Sequence, residues 1–214
     1  MVCTLTGLIG GIDEAGRGPL AGPVVSSCVV WHSLPDHPKK INDSKLLSPK
    51  QRSDLFPWIQ QHAFKIGIGI ATHEEIDKIN ILRASLLSME RALHNSGVEP
   101  NLVLIDGRFA LQSYPHSRPV VKGDRKCFYI ACASIVAKVT RDTIMNRYDL
   151  EYPQYNFRKN KGYPTKDHRL AIKQHGVSPI HRKTFKGVRE FLGCLLYTSP
   201  SPRDRTRHRM PSSA

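Results

Sequence analysis

The feature that most restricts this fold is a short apolar run, residues 8–12, that ends in two adjacent carboxylates and then enters a turn built of Gly and Pro. The carboxylates are Asp13 and Glu14, and the turn covers residues 16–23. Gly and Pro at this density stop a helix and reverse the chain. The β-branched segment that follows, residues 24–31, reads as a second strand. Two strands joined this way leave Asp13 and Glu14 at a strand end, where α/β sheets build their sites.

Downstream, Ser48 followed by Pro49 opens a helix toward residue 62 that Pro57 should kink. Phe64, Ile66, Ile68 and Ile70 alternate with a period of two and predict a third strand. Residues 73–95 keep Ile79, Leu82, Leu86, Met89 and Leu93 on one helical face. A fully apolar strand over residues 102–105 stops at Asp106-Gly107, and residues 119–121 suggest another. The longest helix runs from Cys127 to about residue 150, with Ala131, Ala133, Ser134 and Ala137 small enough for close packing. After a polar and aromatic loop, Thr165 caps a helix that Gly176 stops after His175, and residues 185–192 make a last short helix. Strands first and strand–helix alternation afterwards predict an α/β fold, a mixed sheet covered by helices.

Of 214 residues, 32 are Lys or Arg and 18 are Asp or Glu, a formal charge of +14. Such a surplus calls for a polyanionic partner, either nucleic acid or an anionic membrane surface. No apolar run approaches the roughly 20 residues of a membrane span. Residues 1–11 lack the basic start of a signal peptide, so no membrane is expected. Cys3, Cys28, Cys127, Cys132 and Cys194 are odd in number and irregularly spaced. That suits free thiols in a reducing cytoplasm better than disulfides or zinc. From Cys194 onward the composition shifts to Ser, Pro and Arg, and the start of this stretch reads like a sequencing-library adapter translated in frame. The expected organisation is one domain, residues 1–193, and a non-native disordered tail, residues 194–214. The tail holds four Arg and one Asp, +3 of the +14, and the remaining +11 still favours nucleic acid.

Four carboxylates follow apolar strands: Asp13 and Glu14 the first, Asp106 the next, and Asp124 a third short one. Gathered at one edge they would repel each other unless a divalent cation bridged them. Hard oxygen donors suit Mg²⁺ or Mn²⁺. A basic surface to hold phosphates around an acidic centre to hold metals is the design expected of a metal-dependent nuclease. Taken singly, Asp106 and Asp124 read first as turn residues. Basic stretches at Lys39-Lys40 and at residues 122–126, 158–166 and 182–186 suit phosphate contacts. Tyr152, Tyr155, Phe157 and Tyr163 interleave with the third of these, as a nucleic-acid groove would require. His168, His175 and His181 show no metal-like partners in sequence and read as helix-surface or phosphate-neighbouring residues.

The run Gly11-Ile12-Asp13-Glu14-Ala15-Gly16-Arg17-Gly18-Pro19-Leu20-Ala21-Gly22-Pro23-Val24 resembles the N-terminal signature of the ribonuclease HII family. Further matches follow in that family's order: Asn42-Asp43-Ser44-Lys45-Leu46, Ile105-Asp106-Gly107 and Lys122-Gly123-Asp124. Next come Ala133-Ser134-Ile135-Val136-Ala137-Lys138-Val139 with Arg141-Asp142, then Lys161-Gly162-Tyr163-Pro164-Thr165 and His181-Arg182-Lys183-Thr184-Phe185. The resemblance covers residues 7–193. It implies a ribonuclease H-like fold, a mixed five-stranded central sheet flanked by helices with a helical C-terminal part. It implies Asp13, Glu14, Asp106 and Asp124 as the catalytic, metal-binding set, with Asp142, Ser44 and Lys45 in support. Gly16, Arg17, Gly18 and Tyr163 would read the 2′-hydroxyl at an RNA–DNA junction.

The implied activity is two-metal hydrolysis, with Mg²⁺ or Mn²⁺, by a cytoplasmic monomer. Its substrates would be RNA–DNA hybrids and duplex DNA holding ribonucleotides, cut on the 5′ side of a ribonucleotide to leave a 5′-phosphate and a 3′-hydroxyl. On the residues alone, Asp142 is as readily an ion-pair partner of Arg141 or Lys138, and Tyr163 a loop aromatic packed on the core. Two other readings stand beside this one, since fold does not fix function. A related nuclease of DNA junctions would need no 2′-hydroxyl, and the Gly16-Arg17-Gly18 turn with Tyr163 argues against it. A nucleic-acid-binding protein without catalysis would not need the acidic set.

Overall fold

A computed structural model describes residues 7–36, 41 and 47–192. Ser44, Lys45 and the tail from residue 194 lie outside the described residues. Five strands form one sheet: β1 (Ile9–Ala15), β2 (Val24–Trp31), β3 (Lys65–Ala71), β4 (Leu102–Asp106) and β5 (Ser117–Val120). Their order is β3-β2-β1-β4-β5. β1–β2 and β2–β3 are antiparallel, whereas β1–β4 and β4–β5 are parallel, so the sheet is mixed. The helices are α1 (Pro49–His62), α2 (His73–Asn95), α3 (Gly123–Lys126), α4 (Phe128–Glu151), α5 (Phe157–Asn160) and α6 (Lys166–His175).

Alternate residues of a strand face opposite sides, and β2 shows what covers each side. Val29 and Trp31 pack with Ala131, Ile135 and Val136 of α4 and with Leu55 and Ile59 of α1. Cys28 and Val30 pack with Met89, Ala92 and Leu93 of α2. β2 is therefore buried on both faces, which explains its unbroken apolar and small-residue run. At Gly11 a Cβ would sit 2.0 Å from the Tyr129 carbonyl oxygen, so only glycine lets α4 lie this close to β1. A third apolar cluster joins Leu20 and Ala21 of the turn to Met145, Tyr155, Phe157, Ile172 and Ile180. This small second core docks the Gly- and Pro-rich turn onto the C-terminal part.

Several elements differ from the sequence expectation. β1 does not end before the acids: Asp13 pairs with Ser27 and Glu14 with Ser26, because β2 extends the ladder to Ala15. α2 is interrupted at Asn80 (φ 67°, ψ 165°), whose Oδ1 accepts from the amides of Leu82 and Arg83 and so caps the second segment. The expected helix at residues 185–192 is reduced to a 3₁₀ turn, Arg189–Phe191. His168 and His181 are fully buried, not surface residues. Among the described residues no helix is long and apolar enough to cross a membrane.

Candidate active site

The carboxylates meet where β1 and β4 run side by side. Asp13 is 3% exposed. Burial first, then the charge of Glu14, with Asp106 adding less, pushes its carboxyl well above the usual range against a hydrogen bond from Ser134. Glu14 is also raised by burial, with Arg17 opposing and Asp106 reinforcing. Arg17 Nη1 stands 3.3 Å from Glu14 Oε1, while Glu14 Oε2 is buried without a hydrogen-bond partner. Asp106 closes β4, and its Oδ1 accepts the Gly123 amide at 2.7 Å. The next residue on α3 is Asp124, 1% exposed. Asp13, Glu14 and Asp106 thus share one electrostatic field, and Asp124 follows directly on the amide that holds Asp106. Among the described residues no trio of acidic, His or Cys side chains already converges on one ion position. The acids offer separate oxygen donors along one edge instead of a closed cage.

The turn after β1 is held from beneath by two buried guanidinium groups. Arg182 donates from Nη2 to the Gly16 carbonyl (2.6 Å), from Nη1 to Arg17 (2.9 Å) and from Nε to Gly22 (3.0 Å). Arg141 donates from Nε to Pro23 (3.0 Å), from Nη2 to Ala21 (3.2 Å) and from Nη1 to Lys161 (3.0 Å). Burial lowers Arg141 to about 10, and burial together with the charge of Arg141 lowers Arg182 to about 9. Gly16 has φ +102°, and a Cβ there would lie 2.1 Å from Arg141 Nε, so only glycine fits above the clamp. In a trans peptide the N–H points opposite to the C=O. With the Gly16 and Arg17 carbonyls turned inward onto Arg182, the amides of Arg17 and Gly18 point outward. Arg17 and Gly18 line an open pocket of about 480 Å³ together with Glu14, Ser134, Lys138 and Tyr163.

Tyr163 closes the other wall of this pocket. A Cβ on Gly18 would come within 3.7 Å of its ring. Its backbone is fixed by a histidine relay whose protonation follows from the partners. His168 Nδ1 must donate to the Tyr163 carbonyl (2.9 Å), so its Nε2 accepts from His181 Nε2 (3.0 Å). His181 Nδ1 then accepts from the Ser178 amide (3.0 Å) and hydroxyl (2.7 Å). Burial, with His168 adding, depresses His181 to about 3. A proton on either ring would set two N–H donors against each other.

Asp142 pairs with Lys138 at 2.6 Å, the i,i+4 ion pair that its position on α4 allows. Through Lys138 it adjoins the pocket. Sequence reasoning missed Arg141 and Arg182 as clamps, His168 and His181 as a relay, and Ser134 as a partner of Asp13. Arg141, Arg182, His181 and Ser134 lie inside motifs whose residues read locally only as basic or small, and His168 lies outside every motif. Their roles depend on contacts such as that between Arg182 and Gly16, 166 positions apart.

Residues 10–188 match the family model described as Ribonuclease HII. The chain is similar to a Ribonuclease HII of Clostridioides difficile (strain 630), 50% identical over 177 residues, 83% of this chain and 69% of that protein. It is similar also to a Ribonuclease HII of Geobacter sulfurreducens, 49% identical over 185 residues, 86% of this chain and 85% of that protein. Among solved structures, the ribonuclease H2 of Pyrococcus horikoshii OT3 matches with a TM-score of 0.71 at 26% identity, covering 89% of this chain and 99% of that one.

Proposed function

The chain belongs to the ribonuclease HII family, and from that premise we propose that it is an endoribonuclease that cuts the RNA strand of RNA–DNA hybrids and nicks duplex DNA on the 5′ side of embedded ribonucleotides. The observation that carries this reading is the junction of two features at Glu14. A field of buried carboxylates lies beside a turn whose carbonyls are held by Arg182 and whose residues line a pocket shared with Glu14.

The donor set fits a hard divalent cation: all its ligands are oxygens, Asp13 and Glu14 are held above their ordinary range, and Glu14 Oε2 lacks a partner. Asp13, Glu14, Asp106 and Asp124 would hold Mg²⁺ or Mn²⁺. When bound, a pair of such ions supplies the water nucleophile at neutral pH and stabilises the leaving 3′-oxygen. The outward amides of Arg17 and Gly18 donate to the ribose 2′-oxygen, which accepts as well as donates. The Tyr163 ring packs against the sugar chain on the opposite wall. A deoxyribose leaves both amides unsatisfied, so the turn discriminates by a missing partner as well as by a gained one. The corresponding role is removal of ribonucleotides from DNA and of RNA primers.

The test is a DNA duplex with one ribonucleotide, treated with the full chain and Mg²⁺, Mn²⁺ or EDTA. The expected result is a metal-dependent nick 5′ of the ribonucleotide and an intact all-DNA duplex. Equal cutting of both duplexes would reject the sugar reading, and no cutting by folded protein would reject the enzyme.

A further inference from the structure

A second pocket, of about 340 Å³, lies against the same carboxylates and shares Glu14 and Arg17 with the first. Its wall is hydrocarbon: Leu86 and Met89 from α2, Phe109 from the loop after β4, and Val121 after β5. Phe109 and Val121 are 52% and 51% exposed, so their side chains are open to a ligand beside the acidic edge. Ser85 also lines it; the residue is 3% exposed and its Oγ has no hydrogen-bond partner. Asp106 and Arg108 complete the lining beside Arg17.

We propose that this pocket receives the sugar of the nucleotide on the 5′ side of the cut, the one that leaves with the 3′-hydroxyl. This rests on the endoribonuclease reading above. A phosphodiester held at the carboxylates has one nucleoside on each side. The turn and Tyr163 take the ribonucleotide that keeps the 5′-phosphate, so strand continuity sends its 5′ neighbour to the other side of Glu14, where the second pocket lies. The volume is near the low end of ligand pockets, about 300–1,000 Å³, too small for a duplex and suited to one sugar. Hydrocarbon walls suit the C–H face of a furanose ring, whose removal from water is favourable. Arg17 and Arg108 suit the flanking phosphates. The base stays paired in the duplex, so this contact reads no sequence. The two pockets then divide the work: one requires a 2′-hydroxyl, and the other grips the neighbouring sugar ring by shape.

Three duplexes test this with the full chain and Mg²⁺. Each holds one ribonucleotide, and the residue on its 5′ side is a normal deoxynucleotide, an abasic tetrahydrofuran or an acyclic three-carbon spacer. The last two differ in the sugar ring alone. The chain should cut the tetrahydrofuran duplex about tenfold faster than the spacer duplex, the size expected from one or two methylene equivalents of buried surface. Phe109→Ala should cut the two alike, as should Val121→Ser, a second variant at an exposed position. A wild-type enzyme indifferent to the ring, or variants that keep its preference, would overturn the proposal. Failure to cut the normal ribonucleotide duplex would instead bring down the endoribonuclease reading on which it rests.

Discussion

The acidic edge and the glycine turn adjoin at Glu14 but are held in opposite ways. The edge concentrates like charges that Arg17 offsets only in part: burial first, then the neighbouring carboxylates, raise Asp13 and Glu14. The turn is satisfied from below, its carbonyls bound by Arg182 and Arg141 and its opposing wall fixed by His168 and His181. One region is poised for a ligand and unfavourable without it, whereas the other is shaped before any ligand arrives. Catalytic power and sugar discrimination should therefore be separable by mutation.

The largest separation is expected at the edge. Asp13→Asn or Asp106→Asn should lower cleavage of a single-ribonucleotide duplex by on the order of 10³-fold, with hybrid binding retained. In EDTA, Asp13→Asn should raise the melting temperature at neutral pH, since it deletes a buried charge. A variant that turns over normally would remove Asp13 from the metal set.

Next comes the clamp. Arg182→Ala should cost about 3 kcal/mol in denaturant unfolding, because it strands three carbonyls that a charged donor satisfied. Arg182→Lys cannot span three carbonyls with one ammonium. It should lose preference for ribonucleotide over all-DNA duplex more than it loses affinity. Equal losses in both would make the clamp merely structural.

The two regions should also answer pH with opposite signs. Asp13 and Glu14 have raised values in the fold, so the stability they contribute is present at low pH and is lost as pH rises through those values. His181 falls from 6.5 to about 3, so the unfolded chain takes up its proton first. Its contribution is full above pH 6.5 and is lost as pH falls toward about 3. Thermal melts from pH 7 to pH 4 should fall less steeply for His181→Gln than for the natural chain; parallel slopes would count against the relay. The smallest effect is expected for Arg17→Ala. Its guanidinium is half exposed and its ion pair with Glu14 spans 3.3 Å. Junction preference should drop several-fold with bulk affinity nearly unchanged, as for a single solvent-screened contact.

The same contrast explains what was legible in the sequence. β2, β4 and the acids of the edge stand out because apolar runs and carboxylates at their ends are local signals. The mixed sheet followed from the order of those runs, and the capped ends of α6 from Thr165 and Gly176. The break at Asn80 went unseen because a helical face continues on both sides of it. The clamp and relay were invisible for a different reason. A basic residue that will be buried under a turn looks like any other cation until the fold brings together residues 165 or 166 positions apart. His181 looked like a surface residue because nothing near it in sequence announces the shell of Tyr155 and Phe157 around it.

The clamp also imposes an order of assembly on the chain. β1 and its carboxylates are synthesised early, but the guanidinium that sets the turn arrives only with residue 182. Contacts of such sequence separation form late, after loop closure has been offset by other packing. During synthesis, the nascent chain therefore carries Asp13 and Glu14 long before the residue that fixes the turn beside them exists.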